Sequence, residues 1–186
     1  MRGSTDLDRI SRAMARDTRT TAQAHTMSKT TYTAQTHWQD RWNEPTVEQL
    51  LAPIKETHRK AIDSIMAGME AYEGVDKQVV WSGQGWQWTI EYSLEGHHTL
   101  GPDSPDAMAY IIPDPEQPVL AIPLKDEQIE QIPLRRVNRF IRDQLRSAKC
   151  PVELHWCKWT PSAQTEVDHI MDLFKRKWKI MTGKKR

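Results

Sequence analysis

The stretch WQWTIEYSL, residues 86–94, decides the fold, because it alternates strictly between two kinds of side chain. Its five odd positions in the stretch are aromatic or aliphatic, and its four even positions are polar. Successive side chains of a β-strand point to opposite faces of the sheet. The alternation therefore predicts a strand from Trp86 to Leu94 in a sheet with one buried face.

Further strands are predicted on both sides of this one. Lys77 to Trp81 pairs with it through a turn over Ser82–Gly85, and a further strand follows at residues 97–100. Apolar strands are predicted at residues 107–112 and 118–124. Connections this short join antiparallel neighbours. Another strand, Val152 to Trp159, is predicted later in the chain.

Helices flank the predicted strands. An apolar stripe with spacings of three and four predicts one kinked helix, or two helices divided at Pro53, over Val47–Tyr72. A middle helix is predicted from Pro133 to Ala148, and a final helix after Pro161 with apolar positions from Val167 to Met181. We therefore expect an α+β fold, in which an antiparallel sheet of about five to six strands packs as two layers against N-terminal, middle and C-terminal helices.

One domain accounts for most of the chain. Residues 1–44 are predicted to form a disordered tail, because the first 36 residues contain few large aliphatic side chains. Met27 is an alternative start of translation. Residues 45–182 form the predicted domain, and the basic residues 183–186 are expected to be loose.

Composition excludes several classes of protein. Lys and Arg number 26 and Asp and Glu 25, which argues against a dedicated nucleic-acid binder. Two cysteines cannot supply a disulfide framework and favour a reducing compartment. No apolar run is long enough to span a membrane, and the first 30 residues lack a secretory signal. The sequence predicts a cytoplasmic protein, and it does not indicate an oligomeric state or a cofactor.

Several short motifs resemble the YdhG-like domains of unknown function. They are Trp81 with Gly85-Trp86-Gln87-Trp88, the Leu100-Gly101-Pro102 loop, and the Trp156 strand with the helix that ends at Phe174-Lys175-Arg176-Lys177. The resemblance spans roughly residues 46–179 and implies a small two-layer α+β domain from bacteria with no established reaction. It also implies a link to iron handling in some relatives, with a frataxin-like shape and an acidic face. This chain has no obvious acidic ridge.

Eight tryptophans against two phenylalanines suggest either a Trp-rich core or an aromatic pocket. The leading hypothesis is a non-enzymatic binding module that holds a small molecule or peptide on an aromatic-lined sheet face. Its predicted ligand-binding residues are Trp81, Trp86, Trp88, Tyr92 and Trp156.

Two alternatives remain open. Arg135, Arg139, Arg142 and Arg146 follow helical spacings and could contact an anion or nucleic acid, although a solvated helix face explains them as well. His155 and Cys157 share a strand face and could bind zinc or iron with Cys150 or the His97-His98 pair. No catalytic motif is present; an enzyme would need an acid–base pair assembled from distant segments, for instance with Glu91 or His98 at the sheet.

Overall fold

The computed structural model describes residues 36–95, 107–148 and 154–183. Some of the predictions lie outside these ranges. They concern the strand at residues 97–100 with His97 and His98, Cys150, residues 1–35 of the predicted tail, and residues 184–186 of the basic end.

Five antiparallel strands form one sheet in the order β1-β2-β3-β4-β5. They are β1 (Val75–Trp81), β2 (Trp88–Leu94), β3 (Ala109–Ile112), β4 (Val119–Lys125) and β5 (Leu154–Trp159). Each strand pairs with the next along the chain. The connections from β1 to β2 and from β3 to β4 are short, whereas residues 126–153 separate β4 from β5. The α+β class and the antiparallel sheet are confirmed.

The first helical stripe forms two helices, α1 (Val47–Leu51) and α2 (Glu56–Glu70). Thr46 caps α1, since its hydroxyl accepts from the Gln49 N–H at 3.2 Å while the Gln49 side chain accepts from the Thr46 N–H at 2.8 Å. The break contains Pro53, which has no N–H to continue the helical hydrogen bonds.

The later helices differ in part from the prediction. A single turn, α3 (Gly83–Trp86), connects β1 to β2, and α4 (Asp126–Gln131) follows β4. A 3-10 turn (Leu134–Arg136) comes before α5 (Arg139–Ser147), and α6 spans Gln164–Thr182. The middle helix thus begins later than predicted, because Val137 is extended and the Asn138 side chain caps the Phe140 N–H at 2.8 Å.

One apolar core lies between the helices and one face of the sheet, called here the inner face. Trp88, Ile90, Tyr92 and Leu94 of β2 belong to it, and α2 packs against α6 above them. Ile65 and Phe174 have no exposed surface. The opposite face of the sheet is called the outer face.

The expectation that β2 buries only one face is wrong. Its polar residues Thr89, Glu91 and Ser93 point to the outer face and are buried as well.

Residues 36–44, assigned to the tail by the sequence analysis, contact the β1-β2 connection. The Trp38 indole donates to the Trp86 carbonyl at 3.0 Å, and the Trp88 indole donates to the Asp40 carbonyl at 2.6 Å. The structured part therefore begins no later than Thr36 rather than near Pro45.

A lysine lies in the core where β3 and β4 separate. The Lys177 ammonium of α6, fully buried, donates to the carbonyls of Ala107, Met108 and Pro123. These three acceptors match the three donors of an ammonium group, which allows the charge to be buried.

None of the helices in the described ranges is long and apolar enough to cross a membrane.

Candidate ligand-binding site on the outer face

Three aromatic side chains meet on the outer face, and we call them the aromatic trio: Trp86, Tyr110 and Trp156. The ring centroids of Trp86 and Trp156 are 4.9 Å apart with nearly perpendicular planes, and Trp86 lies 5.5 Å from Tyr110. The Tyr110 and Trp156 centroids are 5.9 Å apart. These are the separations that edge-to-face and tilted aromatic pairs prefer.

Small side chains give the trio its space. Tyr110 of β3 is paired with Ala121 of β4, and Ala121 is in turn paired with Lys158 of β5. Ala107 and Ala121 are the other buried apolar residues of this cluster. A methyl group on β4 leaves room for rings from β3 and β5 to meet across it.

The backbone at Gln87 places Trp86 on the outer face. Gln87 has φ 57° and ψ −139°, a backbone conformation that residues other than glycine rarely adopt. The strand therefore begins at Trp88, two positions after the predicted start. Trp86 and Trp88, which the alternation assigns to one face, point to opposite faces.

A lysine already lies over one ring of the trio. The Lys158 ammonium is 5.1 Å from the centroid of the Trp86 ring. This is the geometry of a cation–π interaction, so the face of this ring accepts positive charge.

Glu91 lies next to the trio, paired with Tyr110 on one side and Gln78 on the other. It has no exposed surface, and neither carboxylate oxygen accepts a hydrogen bond of good geometry from the described residues; the Gln78 side chain makes at most a weak one. Burial raises the pKa of Glu91 to about 7, against a smaller lowering by Gln78. A buried carboxylate that lacks good hydrogen bonds is energetically unfavourable and marks a candidate functional group.

Other titratable groups share the outer face with Glu91. The strand register places Asp76 of β1, Tyr110 of β3, Lys125 of β4 and Lys158 of β5 on this side. Tyr110 alone of these is the direct cross-strand neighbour of Glu91.

The five predicted ligand-binding residues are divided between the two faces. Trp86 and Trp156 lie in the trio and are partly exposed. Trp88 and Tyr92 lie in the inner core, and Trp81 packs on Trp88 at 5.6 Å. Tyr110 was not predicted, because it stands in the uniformly apolar segment Ala109–Ile112, whose lack of alternation does not show which side chains share a face.

The arginines do not form one continuous helical face. Arg135 lies in the 3-10 turn, whereas Arg139, Arg142 and Arg146 lie on α5. Arg139 pairs with Asp143 at 3.3 Å. Arg135 lines an open pocket of about 380 Å³ together with Arg136, Val137, Asn138, His169 and Asp172. Asp172 also pairs with Arg176 at 2.9 Å.

The predicted metal ligands do not assemble into a ligand set in the described part of the chain. His155 Nε2 is 2.6 Å from an oxygen of Asp126, and Cys157 is buried in the inner core. Burial raises the pKa of the Cys157 thiol to about 12, more than the nearby Lys177 charge lowers it, which disfavours a thiolate ligand. The described residues contain no group of three His, Cys, Asp or Glu side chains suited to a metal ion.

Comparison with known proteins gives no match to a family, a curated protein or a solved structure. The resemblance to the YdhG-like domains therefore stays a prediction.

Proposed function

We propose that this chain is a binding module that holds a small ligand on the outer face, at the aromatic trio and Glu91. One observation carries the proposal. The carboxylate of Glu91 is fully buried beside Tyr110, and no donor among the described residues reaches it with good hydrogen-bond geometry. A buried polar group that lacks good hydrogen bonds lowers stability, so its presence calls for an explanation, and a ligand that donates to it is the one we propose.

The trio supplies the apolar part of the site. Trp86 and Trp156 are partly exposed, so a ligand can contact their rings from solvent. Aromatic walls with a few polar groups are typical of small-molecule sites. Trp88 and Tyr92 contribute indirectly, because they anchor β2 in the core and so fix the position of Glu91.

Alternative functions have less support. Anion binding through Arg135, Arg139, Arg142 and Arg146 would use side chains that lie on two elements, one of them already paired with Asp143. Metal binding through His155 and Cys157 would require a thiolate in the apolar core.

A fragment screen by nuclear magnetic resonance tests the proposal. Isotope-labelled protein displays the indole N–H signals of its eight tryptophans separately. We expect ligands that shift the Trp86 and Trp156 signals, and we expect Trp156→Ala to abolish their binding. Trp42→Ala is the matched control, since Trp42 is 87 % exposed and lies outside the trio. Ligands that bind Trp156→Ala as well as wild type, or a screen with no response at the trio, would contradict the proposal.

A further inference from the structure

We infer that the ligand of the outer face is an organic cation with N–H donors, of the guanidinium or protonated amine class, which pairs with Glu91 and packs on the trio. This inference rests on the proposed function and names its ligand class. Three independent features support it: the two acceptor oxygens of Glu91, the ring faces beside them, and the cation already present over Trp86.

Glu91 supplies the charge complement. An ionised carboxylate only accepts hydrogen bonds, and it has two oxygens that can receive parallel N–H donors. Both oxygens of Glu91 are buried, and neither accepts a hydrogen bond of good geometry from the described residues. A guanidinium group presents donors in a planar fork that fits such a pair, whereas an anionic ligand would be repelled.

The trio supplies a second element of cation recognition. Guanidinium groups stack on aromatic faces, and cations are attracted to the electron-rich face of an indole. Lys158 uses the Trp86 ring in this way at 5.1 Å. A ligand cation would compete with this ammonium for the face of the Trp86 ring.

Access to Glu91 requires movement, because the carboxylate has no exposed surface. Trp86 packs on Tyr110 next to Glu91, so a rearrangement of Trp86 would open a path to the carboxylate. Trp86 ends the single helical turn α3, which contains Gly83 and Gly85, and the unfavourable backbone conformation of Gln87 follows it. A short turn that ends in a strained residue can rearrange without disturbing the core strands.

A pair of nearly isosteric probes tests the charge directly. Butylguanidinium is a permanent cation, and butylurea has a similar shape without the charge. We expect butylguanidinium to bind the wild-type protein at least about tenfold more tightly, with shifts of the Trp86 and Trp156 indole signals. Pentanoate, an anion of similar length, should not bind.

Two substitutions locate the effect. Glu91→Gln should abolish the preference for butylguanidinium over butylurea. Lys158→Met should tighten butylguanidinium binding by about two- to fivefold, because it removes the ammonium from the Trp86 ring. Both variants are compared with Trp42→Ala, which should bind as wild type does.

The pH dependence separates pairing with Glu91 from a merely structural role. Butylguanidinium affinity should rise about tenfold between about pH 6 and pH 8, as the carboxyl group ionises. Glu91→Gln should lose this dependence. A dependence that persists in Glu91→Gln would assign the titration to Asp76, Tyr110, Lys125 or Lys158, the other titratable groups of this face, and would overturn the role of Glu91.

The outcomes distinguish this inference from the proposed function. Equal binding of butylurea and butylguanidinium at the trio would overturn the cation and leave the binding module standing. Binding of pentanoate at the trio would also refute the cation class and leave the binding module standing. If neither cation nor urea binds while other fragments shift the trio signals, the cation class is again refuted. If no fragment shifts the signals of the trio, both the binding module and the cation class are contradicted.

Discussion

The burial of Glu91 predicts an unusual pH dependence of stability, which the substitution Glu91→Gln should remove. Burial raises the pKa of this carboxyl in the folded state from the ordinary 4.5 to about 7. The folded protein therefore holds this proton more tightly than the unfolded chain does. The stabilisation is complete below the unfolded pKa and is lost as pH rises through the folded pKa.

The magnitude follows from the same two values. At about 1.4 kcal/mol for each pH unit between them, the contribution of Glu91 to the free energy of unfolding falls by roughly 3 kcal/mol from about pH 4 to about pH 8. Glu91→Gln keeps the shape and removes the charge. The variant should match wild type near pH 4 and exceed its stability by roughly 3 kcal/mol near pH 8.

Urea unfolding at both pH values measures the difference. Glu95→Gln is the control, since Glu95 is exposed at the end of β2 and its replacement should change stability by less than about 0.5 kcal/mol at either pH. The reasoning is refuted if wild type and Glu91→Gln show the same change in stability between the two pH values. Such a result would mean that the carboxylate is solvated or paired in solution.

Three further substitutions test the fold by chemical denaturation. Phe174→Ala should lower stability by roughly 2–5 kcal/mol, because it leaves a cavity in the core, and a loss below about 1 kcal/mol would show that this stripe is not buried. Gln87→Gly should raise stability by about 1 kcal/mol, because it relieves a positive φ and removes a buried amide oxygen that has no partner among the described residues. A loss of stability would count against this backbone geometry. Lys177→Met should lower stability by roughly 2–4 kcal/mol, because three backbone carbonyls lose their donor. The control Lys175→Met, on the exposed side of α6, should change stability little, and equal losses in the two variants would argue that Lys177 is solvated.

The sequence predicted the inner face of the sheet well. Trp88, Ile90, Tyr92 and Leu94 lie in the core, as the period of two requires. The predicted stripe of α2 is buried, because the spacings of three and four depend only on helix geometry. In α6, Val167, Ile170 and Phe174 are buried as predicted, whereas the other predicted positions, Met171, Trp178 and Met181, are partly buried against the core. Lys177 was not predicted as a core residue, since its acceptors come from distant parts of the chain.

The outer-face site was only partly predictable. The alternation continues through Trp86, and nothing in the period of two indicates that Gln87 reverses the side on which this ring lies. Trp86 and Trp156 were proposed for their residue type, but the partnership with Tyr110 depends on β4 carrying a small Ala121 between them. Polar residues in an alternating strand are ordinarily taken to face solvent, so the burial of Glu91 also required the structure.

Contacts between ligand and protein protons test the central claim most directly. In a complex with butylguanidinium, nuclear Overhauser effects should connect the butyl protons to the ring protons of Trp86, Tyr110 and Trp156. Contacts confined to the pocket lined by Arg135 and His169, or a complete absence of contacts to the three rings at saturating ligand, would contradict the account.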